Sequence, residues 1–145
     1  MVDPRIWAGA LFCTAALVFT GCATDDATSQ IRKFLATERG PEDVLPTGLE
    51  DLTGDPESSR LVGELAGVSY FVTEYVDPDS GRPGFCLVLA KPLAGAASGC
   101  AADANATRMQ VYGSGAGRAR VVVSNDVIPG GWTKLGDFLI VNPET

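Results

Sequence analysis

The first residue to look for in a catalytic reading of this chain is absent. None of its 145 residues is histidine. That excludes Ser-His-Asp and Cys-His nucleophilic catalysis, histidine-bearing zinc centres and histidine switches near neutral pH. No G-x-S-x-G, S-x-x-K or C-x-x-C sequence occurs either, so the strained nucleophile turn, the Ser–Lys pair and the close redox dithiol are missing. Gly113-Ser114-Gly115-Ala116-Gly117 is glycine-rich, but without the following Lys of a phosphate loop it reads as a flexible hairpin turn. Asp77 and Asp79 start like a calcium loop, yet Gly81 comes one position early and no glutamate stands twelfth. Glu64 and Glu74 lie on candidate strands and Asp137 lies near a third. They could serve as an acid–base pair only if the fold brought two of them together in a cleft. The aromatic residues Tyr70, Tyr75, Tyr112 and Trp132 could build a binding face. Trp132, following Pro129-Gly130-Gly131, is the candidate partner contact; alternatively it covers an open end of a sheet. No catalytic residue, metal or cofactor is expected.

Four thiols remain to be assigned, at Cys13, Cys22, Cys86 and Cys100, and their roles depend on the N-terminus. Residues Ile6 to Thr20 form an uncharged run, IWAGALFCTAALVFT. A membrane-spanning helix needs about 20 such residues, whereas the apolar region of a secretory signal needs only about 7–15. Arg5 and the terminal amine supply a thin basic flank, weakened by Asp3. The run ends in Phe19-Thr20-Gly21-Cys22, which resembles the lipobox of bacterial lipoproteins, with Phe19 in place of the usual leucine. The resemblance covers only the first 22 residues and implies a sorting class rather than an activity. It implies cleavage between Gly21 and Cys22, and a diacylglyceryl group on the Cys22 sulfur that holds the protein on the extracytoplasmic face of a membrane. Cleavage after Ala23, which would release a secreted protein, and retention of an uncleaved anchor are the alternatives. The Ala, Gly and Val richness and scarcity of Lys are similar to small envelope lipoproteins of high-GC Gram-positive bacteria.

Cys13 would leave with the signal. Cys86 and Cys100, exported to an oxidising compartment, then read as a disulfide. The 15-residue loop they close is worth about 3 kcal/mol in the chain-entropy model. A metal pair or a redox dithiol is the competing reading.

The elements that must position these residues follow from periodicity. The signal takes residues 1–21, a short tether 22–24, and a single globular domain 25–145. Ala27, Ile31, Phe34 and Leu35 share one helical face, Asp25 and Asp26 suit a helix start, and Gly40-Pro41 stops it. One amphipathic helix is therefore expected over about 25–39. Residues 41–59, broken by Pro41, Pro46, Gly48, Gly54 and Pro56, read as a connecting segment with a turn of helix at 42–45. The β region is expected over 60–142, with strands at 60–65, 68–76, 85–90, 108–112, 118–124 and 138–142. Residues 93–106 read as an Ala/Gly-rich loop. Val68, Tyr70, Val72 and Val76 should share a face, Met109, Val111, Ala119, Val121 and Val123 should point inward, and Arg118 and Arg120 outward. The unalternating Phe85–Ala90 should be covered on both faces. The expected fold is thus α+β or mainly β: one N-terminal helix, then a five- to six-stranded, mostly antiparallel curved sheet or partial barrel.

The formal charge is −7, and loss of Asp3 and Arg5 with the signal leaves it unchanged. Such a chain is a poor nucleic-acid binder, and its acidity serves solubility. The expected function is a membrane-anchored, non-enzymatic envelope module that contacts another protein or a wall component. A ligand-binding or carrier lipoprotein, or less readily a carboxylate-based hydrolase, is the alternative.

Overall fold

A computed structural model describes residues 26–143. The expected signal peptide, with Gly21 and Cys22, lies outside the described residues.

The architecture is mainly β, with one short helix and two antiparallel four-stranded sheets that do not close into a barrel. The helix, α1, spans Ala27–Leu35. Its apolar residues at intervals of four, Ala27, Ile31 and Leu35, are buried, and the Asp26 side chain caps its start by accepting the Ser29 amide at 2.7 Å. These hydrogen bonds from Ser29 hold the Asp26 carboxyl below the usual carboxylate range. The helix stops sooner than the expected residue 39. Thr37 folds back on it, its amide and hydroxyl both donating to the Phe34 carbonyl, while its own carbonyl accepts the Arg60 guanidinium.

The first sheet is a meander, β1 Asp55–Leu65, β2 Val68–Val76, β3 Pro83–Lys91 and β4 Gly95–Ala102, in that spatial order. The β1–β2 turn is the two-residue Ala66-Gly67, both at positive φ, which matches the twist of the paired strands. The second sheet comprises β5 Gln110–Gly113, β6 Gly117–Val121, β7 Thr133–Leu135 and β8 Leu139–Asn142, ordered β5-β6-β8-β7. One core lies between the sheets. Val68, Tyr70, Val72, Phe85, Leu87 and Leu89 come from the first, Val111, Ala119, Val121, Leu139 and Val141 from the second, and α1 adds Ala27, Ile31 and Leu35. Val76, expected on the same face, is exposed at the strand end.

Three expectations are corrected. The single curved sheet of five or six strands is two sheets of four. Residues 93–106 are not a loop, because Gly95–Ala102 (GAASGCAA) forms β4, and Asp103–Arg108 is a 3-10 helix. Small side chains are required there. A Cβ on Gly99 would meet Val111 Cγ2 at 2.8 Å, and one on Gly113 would meet the Ala97 Cβ at 2.9 Å, so β4 and β5 approach closely where the two sheets meet. Residues 41–59 are more than a connector. They carry 3-10 turns at Pro41–Asp43 and Glu50–Leu52 and the start of β1. Leu45 and Leu49 lie over the outer face of the first sheet, packing with Phe71, Val88 and Ala90 in a second core. This is why Phe85–Ala90 lacks alternation: both of its faces are covered.

Tyr70 is fully buried, and its hydroxyl has no hydrogen-bond partner among the described residues. Burial pushes its pKa up to about 12. The fold thus favours the neutral phenol, and the unfolded chain releases that proton first. This contribution to stability is complete below about pH 10 and declines as the pH rises from about 10 to about 12. Tyr70→Phe removes the orphaned hydroxyl, with an expected gain of about 1 kcal/mol near neutral pH and a flatter alkaline decline. Urea unfolding of both proteins at about pH 8 and about pH 11 measures each effect. A less stable phenylalanine variant at the lower pH would show that the hydroxyl is satisfied.

Candidate functional site

The outer face of the second sheet follows from period-2 alternation. Because Val111, Ala119, Val121, Leu139 and Val141 point into the core, the residues between them point out. Cross-strand pairing then fixes the neighbours. Tyr112 lies opposite Arg118, and Arg118 opposite Asn142. Gln110, Arg120, Ile140 and Lys134 form one row across all four strands. Ile140 is fully buried within this row, so the accessible part of the face consists of Gln110, Arg118, Arg120, Lys134 and the exposed ring of Tyr112.

Strands β6 and β7 both run antiparallel to β8, so residues 122–132 must return along the length of the sheet between them. This return delivers Trp132 to the outer face. The Arg120 guanidinium lies over its indole, 5.3 Å from the ring centroid. Arg118 repeats the arrangement over Tyr112 at 5.6 Å. Such stacking holds each guanidinium along a defined direction and leaves its N–H edge available. Arg118, Arg120 and Lys134 form no salt bridge among the described residues. No acid lies on β5 to β8. Asp126 is taken up by its loop, accepting the Val123 amide, and Asp137 sits at the β7–β8 turn beside Phe34 of α1.

Other sequence-derived candidates fall elsewhere. Cys86 and Cys100 are bonded to each other, directly opposite in the β3–β4 register. Glu64 bonds the Ser69 hydroxyl at the β1–β2 turn. Glu74 lies five residues further along β2, about 17 Å away at strand rise, beyond glycosidase carboxylate spacing. Asp137 and Glu74 line separate surface clefts. The Asp77 carboxylate accepts from the Ser80 hydroxyl and from the Ser80 and Asp79 amides. These bonds, from Ser80 foremost, hold it below the usual carboxylate range and make it part of the hairpin turn. Gly113–Gly117 is a hairpin turn. Among the described residues no cluster of three or more Cys, Asp or Glu could hold a metal, and no helix is long and apolar enough to cross a membrane.

Sequence reasoning identified Trp132, Tyr112 and the outward arginines separately, but missed their stacking and the contribution of Lys134. The alternation of 110–112 and 118–120 around a glycine turn carried part of this signal. Nothing in the sequence placed Trp132 over Arg120.

Compared with known proteins, the chain matches no family model, no characterised protein and no solved structure.

Proposed function

We propose that this protein is an exported lipoprotein, cut before Cys22, lipid-anchored on the extracytoplasmic face of a membrane, and acting there as a non-enzymatic interaction module. The outer face of the second sheet carries the interaction reading. Arg118, Arg120 and Lys134 stand there beside two stacked aromatic rings, in a chain whose net charge is −7. Concentrating cations on one face of an acidic domain gives it a directional potential that a solvated surface does not need. The lipobox resemblance supports the anchor. From Cys22 to the Asp26 cap is four residues, at most about 15 Å of chain, so a lipid on Cys22 would keep the domain close to the bilayer.

The intact mass of membrane-fraction protein tests the anchor. The expected chain begins at Cys22 and carries a diacylglyceryl adduct, and Cys22→Ala abolishes both cleavage and adduct. An unmodified chain beginning at Thr24 in the medium would instead establish a secreted protein, and an intact Met1 in the membrane an uncleaved anchor.

One observation favours the carrier reading as a second possibility. Pro46, Leu49, Ala90, Pro92 and Leu93 line an open apolar groove of about 460 Å³ on the first sheet, with Leu93 fully exposed beside it. Binding of an apolar fluorophore that Leu93→Asp abolishes would select that reading.

A further inference from the structure

The geometry points to a ligand class for the second sheet: we propose that its outer face binds an anionic polysaccharide of the cell envelope, one bearing a carboxylate or phosphodiester on successive units. The assignment deepens the interaction reading above and rests on it for the compartment.

Charge complementarity is the first argument. Arg118 and Arg120 sit two residues apart on β6, about 7 Å along the strand, and Lys134 lies two strands from Arg120, about 10 Å across the sheet. A single small anion cannot span these positions, whereas a chain with repeated charges can meet all three. Guanidinium groups suit both carboxylate and phosphodiester oxygens, which they grip through two parallel N–H donors. Stacking on Tyr112 and Trp132 reduces the side-chain freedom lost on binding.

The second argument separates a polysaccharide from other anions. A protein interface is built around desolvated apolar anchors. Here the apolar residue of the central row, Ile140, is sealed, and the one large exposed ring on the strands, Tyr112, carries the Arg118 guanidinium, while Gln110, Asn142, Arg118, Arg120 and Lys134 supply donors suited to hydroxyls and anions. An anionic bilayer is disfavoured by direction. Helix α1 starts beside Asp103, where Thr28 donates to the Asp103 carbonyl. That residue marks the end of the sandwich where β4 finishes and β5 is about to begin. The start of α1 therefore lies at an end of the strands, while the cationic face lies along their flank. Three cations on an acidic domain are also too few for nucleic-acid affinity.

The test uses the full chain in neutral detergent, with binding to immobilised polygalacturonate and to immobilised poly(glycerol phosphate) measured at low and high salt. Wild type is expected to bind at least one of them, less tightly as salt rises, and dextran not at all. Arg118→Glu with Arg120→Glu should weaken binding at least tenfold, and Arg118→Gln with Arg120→Gln by a smaller factor. Arg82→Glu with Arg108→Glu, an equal charge change elsewhere, should leave it unchanged. Circular dichroism and urea midpoints verify that the variants fold, and the glutamine pair decides the question if the glutamate pair does not. Binding to neither polymer overturns the proposal, as does equal loss in the Arg82/Arg108 control. Equally tight binding to phosphatidylglycerol vesicles or single-stranded DNA would overturn the assignment to polysaccharide. The anchor is read separately by mass, so polymer binding without a lipid adduct would sink the lipoprotein reading alone.

Discussion

Cys86→Ala combined with Cys100→Ala is expected to lower the unfolding free energy by about 3 kcal/mol. The bond links residues 14 apart, and removing it restores loop freedom to the unfolded chain. Its position in the fold makes the loss structural as well. It ties β3, buried over most of its length, to β4, an edge strand of Gly, Ala, Ser and Cys with little side chain to bury. Edge strands of such composition have low intrinsic β preference. The crosslink and the close packing of Gly99 against Val111 take the place of large side chains there. Because Cys100 is exposed, reductant should reach the bond in the folded protein. Urea unfolding of the wild type in excess dithiothreitol should converge on the curve of the double variant. A difference below about 1 kcal/mol between oxidised and reduced protein would show that β4 holds its place without the crosslink.

Asp43→Ala is expected to cost about 2–4 kcal/mol. Asp43 is only 6% exposed. One carboxylate oxygen accepts the Leu61 amide and the other the Gly40 amide, each at 2.7 Å. The Ser59 hydroxyl donates to its carbonyl, and the Arg60 guanidinium stands 4.0 Å from the carboxylate. Strand β1 is an edge of the first sheet, with a register shift between Asp55 and Arg60. Asp43 thus satisfies an edge amide that no neighbouring strand reaches, and closes that edge against pairing with another chain. Alanine would strand both amides and leave Arg60 without its carboxylate. Asn retains one acceptor oxygen and should fall between alanine and wild type. Urea unfolding gives the magnitudes, and hydrogen exchange at Leu61 and Gly40 gives the location. Unchanged protection of both amides in the alanine variant would contradict this account.

The readable parts of the fold were those where local pattern and tertiary outcome coincide. The helix stripe, the inward residues of β2, β5 and β6, and the doubly covered β3 all follow from periodicity, because burial on one face or on two leaves a different repeat. The disulfide was legible as a pair, given an oxidising compartment. Strand β4 was not, because its evidence lies in what the neighbours require. Gly99 and Ala97 are small since β5 crosses close by, and a small residue carries no periodic signal. The segment 41–54 read as a linker because its prolines and glycines break any repeat. Its packing role rests on Leu45 and Leu49, whose spacing of four carries no helical reading because Pro46 and Gly48 lie between them.

The candidate site divides in the same way. The sequence by itself determined the absence of histidine chemistry, the acidic charge, the alternation that turns Arg118 and Arg120 outward, and the N-terminal pattern on which the lipoprotein proposal rests. Each is a property of composition or of near neighbours along the chain. Only the tertiary structure decided that there are two sheets, that Glu64 and Glu74 stand apart, and that Trp132 and Tyr112 each carry an arginine. The Trp132 contact depends on a return of some ten residues between strands that run the same way, and the pairing of β7 with β8 fixes where that return ends. Contacts of this kind are selected by the free energy of the whole packed arrangement, and no window of local sequence contains it.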